Sequence, residues 1–78
     1  MLIQETIDYI TAASTTWGRT DGGRPYLRAH YNDARHTIDR LFAFADRKPG
    51  RVADEVNETA TRQLIALEAA WQLIEPVA

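Results

Sequence analysis

His30, Asp33 and His36 are the residues of this chain whose types and spacing come nearest to a site for chemistry. Histidine and aspartate are both zinc ligands, and the spacing i, i+3, i+6 holds the three within two helical turns. Helix geometry nevertheless drives them apart. Each step of three residues falls about 60° short of a full turn, so the two imidazoles point about 120° apart and lie about 9 Å apart along the axis. One ion would need a further ligand from another segment to take both. The sequence therefore predicts no metal site and no cofactor, with His30 packed at a bundle edge and His36 solvated.

The other reactive types are equally dispersed. A nucleophile needs a hydroxyl or thiol held against a base by a third group. The chain has no cysteine and one serine, Ser14, which falls on an apolar stripe and reads as a small packing residue. Acid–base carboxylate pairs need an apolar cleft that separates their pKa values, whereas Asp33 and Asp39 sit among arginines. Asp21-Gly22-Gly23 matches neither a P-loop nor a dinucleotide fingerprint. No enzyme is expected.

Two features point to binding. Arg24, Arg28 and Arg35 fall within about 40° of one another on a helical wheel and form a basic stripe. Such a stripe could follow phosphates, but the segment that would follow it as a recognition helix opens Val52-Ala53-Asp54-Glu55-Val56-Asn57-Glu58, which repels a phosphate backbone. Nucleic-acid association is thus the alternative reading. Ion pairs with Glu5, Asp8, Glu55 or Glu58 would explain the arginines without it.

The second feature lies at residues 64–74, Leu-Ile-Ala-Leu-Glu-Ala-Ala-Trp-Gln-Leu-Ile, where only Glu68 and Gln72 are polar. A surface helix ordinarily keeps a polar face. Here Ile65, Ala69 and Leu73 form a line at i, i+4, i+8, with Ala66 beside it, in addition to the inner stripe. The sequence leaves open whether this wide arc is core or a surface for a partner or a second copy. A line on the preceding segment, Tyr26, His30, Thr37 and Phe44, carries the same ambiguity.

Three elements must hold these residues. Gly18–Pro25 and Asp46–Gly50 are rich in Gly and Pro and read as loops. Between and around them, helical periodicity predicts helices from about Leu2 to Trp17, Pro25 to Arg47 and Arg51 to Glu75. Their inner stripes are Ile3, Ile7, Ile10, Ser14 and Trp17; Leu27, Tyr31, Ala34, Ile38, Leu41 and Ala45; and Val52, Val56, Ala60, Leu67, Ala70, Trp71 and Ile74. Gly18 suits the position after the first helix, and Pro76 ends the third. A β-hairpin over residues 17–31, tipped by Asp21-Gly22-Gly23, competes for the middle segment. The unbroken stripe favours the long helix, and with it an all-α three-helix bundle as one domain over residues 1–78.

Composition agrees with a small folded domain. The chain has 78 residues, 45% apolar and 26% charged, with a net charge of −2, which is ordinary globular usage. Residues 24–51 carry seven Arg/Lys against three Asp, while residues 52–78 carry five acids against Arg62. A basic middle segment is expected to pack between acidic neighbours. Without cysteine no disulfide can form, which favours a reducing compartment, and the N-terminus lacks a signal-peptide pattern. The expectation is a cytoplasmic, membrane-free, non-enzymatic protein-binding module. It would be a homodimer or a small accessory or inhibitory factor docking on a larger protein, of a size that suits phage or mobile-element products.

Overall fold

The computed structural model describes residues 2–76. Among them are three helices and no strand: α1 (Ile3–Ala13), α2 (Gly23–Asp46) and α3 (Gly50–Ile74). They form an up–down–up bundle, all-α as the periodicity predicts. The hairpin over residues 17–31 does not form. Residues 23–31 are the first turns of α2, and Asp21-Gly22 belongs to the turn that leads into it. Leu27 and Ala34, both buried, continue in phase with Ile38, so helix burial outweighs the local hairpin signal.

One core joins the helices. Ile7, Ile10 and Ala13 of α1 meet Leu27, Ala34 and Ile38 of α2 and Ala60, Leu67, Ala70 and Ile74 of α3. Ile10, Leu27, Ile38, Leu67 and Ile74 are fully buried. At about 25 cal/mol per Å² of apolar surface, each such aliphatic side chain contributes about 1.5–3 kcal/mol relative to exposure.

The first helix is shorter than its periodicity suggests. It ends at Ala13, where Ser14 Oγ donates to the Thr11 carbonyl oxygen at 2.6 Å. Ser14 thus closes the helix instead of packing in its stripe, and Thr15, Thr16 and Trp17 continue in turns. These are weak helix formers whose hydroxyls bond nearby carbonyls; Thr15 and Thr16 do so to Ala12 and Ala13. Gly18 still serves the helix end, since its N–H donates to the Ala13 carbonyl at 2.8 Å. A Cβ there would lie 2.8 Å from Leu27 Cδ1 and from Ile74 Cδ1, so only glycine lets the turn sit on the core.

Length now decides coverage. With 11 residues α1 is about 16 Å long, while α2 and α3, with 24 and 25, are each about 36 Å. Leu2, Ile3 and Gln4 stand beside Thr37, Leu41, Thr59 and Gln63. Beyond that level the α2–α3 hairpin continues without a third helix. Val52, assigned to the inner stripe by its phase, is 50% exposed for this reason.

Candidate docking surface

On α3 the helical phase separates two apolar lines. Leu67, Ala70 and Ile74 point into the core, and Trp71 is half-buried. Trp71 lies at the α2–α3 seam, where its ring stacks on Tyr31 with centroids 4.9 Å apart. The other line turns outward. Ile65 is 65% exposed, Leu73 is 47% exposed, and Ala69 between them is exposed. Ala66 is half-buried toward Gln4 of α1. Two large aliphatics flank a small residue at one-turn spacing, so a second helix could approach closely at Ala69 with its side chains against Ile65 and Leu73.

The arginines are engaged. Arg28 of α2 meets Glu75, just past the end of α3, at 2.6 Å, and Arg35 meets Glu68 Oε1 in the C-terminal half of α3 at 2.8 Å. Arg24 meets Asp21 at 2.9 Å in the preceding turn. The basic α2 and acidic α3 therefore match as the charge asymmetry suggests, but through other partners than Glu5, Asp8, Glu55 and Glu58. Glu5 and Asp8 lie on the exposed side of α1, where Asp8 accepts a hydrogen bond from Gln4. Glu55 and Glu58 pair within α3 with Arg51 and Arg62. Every side chain in these pairs is at least 36% exposed, so each pair is worth about 0–1 kcal/mol.

The Arg35–Glu68 pair belongs to a small network. The Tyr31 hydroxyl donates to the same Glu68 Oε1 at 2.5 Å, and Asp39 lies 3.5 Å from Arg35 Nε. Burial, reinforced by the Glu68 carboxylate, holds the Tyr31 phenol above its ordinary pKa. This arrangement ties α2 to α3 at one register.

His30 and His36 do not meet. His36 is exposed. His30 lies edge-on to Tyr9 at 5.5 Å and to Tyr26 at 4.9 Å. Trp17 closes the ring of four against Tyr9 and Tyr26 at 5.9 and 5.8 Å. These rings fill the space between one another, as edge-to-face aromatic pairs do. Trp17, placed in the core stripe by its phase, is 39% exposed at the outside of this cluster because α1 has ended before it. Among the described residues no three His, Asp or Glu side chains converge on a point that could hold a metal ion.

No family model, no curated protein and no solved structure matches this chain. The functional reading therefore rests on the molecule's own surface. Among the described residues no helix is long and apolar enough to cross a membrane.

Proposed function

We propose that this chain is a non-enzymatic binding protein, an accessory or inhibitory factor that docks a helix of another polypeptide, or of a second copy, on the outer face of α3. The observation that supports this is the outward line of Ile65, Ala69 and Leu73 on a helix whose opposite face already fills the core. Ordered aliphatic side chains at one-turn spacing on a surface helix mark an interaction face more often than scattered exposure does. Nucleic-acid association is not favoured, because Arg28 and Arg35 are neutralised by Glu75 and Glu68 and a phosphate would have to displace both carboxylates.

Ala69→Arg tests the proposal at its centre. Arginine is a good helix former and Ala69 is exposed, so the fold tolerates it. Light scattering over a concentration series reads self-association, and calorimetric titration with a captured partner reads docking. Loss of at least tenfold in affinity with unchanged helicity is expected; equal association of the variant and the wild type would overturn the reading.

A further inference from the structure

The line Tyr26, His30, Thr37 and Phe44 runs straight along the side of α2 that faces α1. Its first half is covered, because Tyr9 and Trp17 close over Tyr26 and His30. Its second half passes the start of α1 at Thr37 and runs on beyond it to Phe44. At and past the start of α1, Thr37 and Leu41 of α2 face Val56 and Thr59 of α3 across a groove that opens at Leu2 and Ile3, and on the other side of Leu41 it adjoins a shallow hollow lined by Thr37, Arg40, Phe44 and Arg47. The part beside the start of α1 encloses about 410 Å³. Phe44 is 41% exposed in the adjoining hollow, and among the described residues the buried Gln63 Oε1 at the groove's upper end accepts no hydrogen bond. The spacing on both walls is the alternating four and three of a helix-packing seam.

The edges of the groove carry a charge pattern. Arg40 of α2, and Arg47 and Lys48 just past its end, lie around Phe44, and among the described residues none of them pairs with a carboxylate. Arg47 Nε donates to the Ala43 carbonyl and Lys48 rests over the Phe44 ring. Every arginine on the covered half of α2, by contrast, has an acidic partner. The α3 edge is mixed, with Glu55 satisfied by Arg51.

We infer that this groove, distinct from the outer face of α3, receives an amphipathic helix of another protein. That helix takes the place of a continued α1, with aliphatic residues against Leu41, Phe44 and Val56 and acidic residues against Arg40, Arg47 and Lys48. The open stretch from Thr37 to Asp46 is about 15 Å long, which fits two to three helical turns. A second copy is a poor occupant. Antiparallel pairing about a two-fold axis, which keeps the two α1 helices apart, sets the three cations of one copy against those of the other. A nucleic-acid strand would meet the cations but leave the aliphatic floor dry and unmatched.

A displayed library of helical 14-residue peptides with a fixed leucine face and randomised flanks, selected on the intact protein, tests this. Enriched peptides are expected to carry Asp or Glu along one flank. Their affinity should fall at least tenfold on the exposed charge reversal Arg40→Glu with Arg47→Glu, and on Phe44→Asp. It should be unchanged on Ala69→Arg, which separates this groove from the outer face of α3. No enrichment, no acidic bias, loss on Ala69→Arg, or competition by a 20-residue oligothymidylate at physiological salt would each overturn the inference.

Discussion

The two halves of the α2–α3 hairpin are built from the same pattern and end in different states. In the half that α1 covers, the inward residues Leu27, Ala34, Leu67 and Ile74 are buried and the arginines are paired with carboxylates. In the half that α1 does not reach, Ala45 is buried between two helices, but Phe44 and Val52 stay at the surface, and among the described residues three cations lack acidic partners. The difference lies in helix length. A helix pair buries one seam, and a third helix is needed to bury the flanks of that seam. The covered half therefore carries the stability, while the open half leaves apolar surface exposed.

The largest effects should fall in the covered half. Leu27→Ala removes a fully buried side chain that touches the Gly18 turn, and should cost about 2–5 kcal/mol. A domain this small has about 3–5 kcal/mol in total, so urea titration should find the variant largely unfolded. A loss below 1 kcal/mol would show that the core is not centred there.

A smaller effect is expected from pH. The Tyr31 phenol is held above its usual value by burial and by Glu68. A raised phenol pKa adds stability that is fully present below the unfolded value of about 10 and is lost as pH rises through the folded value. Wild-type stability should therefore fall above pH 10, and it should fall less steeply in Tyr31→Phe. Parallel curves would place the phenol outside the seam.

The smallest effect belongs to the open half. Phe44→Ser should change the unfolding free energy of the isolated protein by no more than about 0.5 kcal/mol, as for other surface sites. A loss comparable with that of Leu27→Ala would erase the contrast between the halves.

Much of this was legible in the sequence, for physical reasons. Burial of an aliphatic stripe is phased by the helix itself, so Leu27–Ile38 and Leu67–Ile74 could be read directly. The limits of α1 could not be, because Thr15, Thr16 and Trp17 keep the helical phase while their hydroxyls or rings take up other contacts. That shortening displaced Trp17 from the core, whereas Val52 and the groove lie beyond the other end of α1, which starts only at Ile3. The inequality of the segments, the first much shorter than the other two, was the signal available. The partners of the arginines were likewise hidden, since pairing across α2 and α3 depends on their relative register. Ile65, Ala69 and Leu73 stood out by composition, but only the position of α1 and α2 around α3 decides that they face outward.

The outward line is also where the account is most exposed to test. Ile65→Asp with Leu73→Asp introduces two carboxylates on it, and helicity and molar mass can be read on one sample. The placement predicts a variant that keeps its helical signal and unfolding midpoint while its association is lost. An unpaired carboxylate in the core is strongly unfavourable, so a double variant without helical signal would place Ile65 and Leu73 inside the bundle and contradict the docking surface.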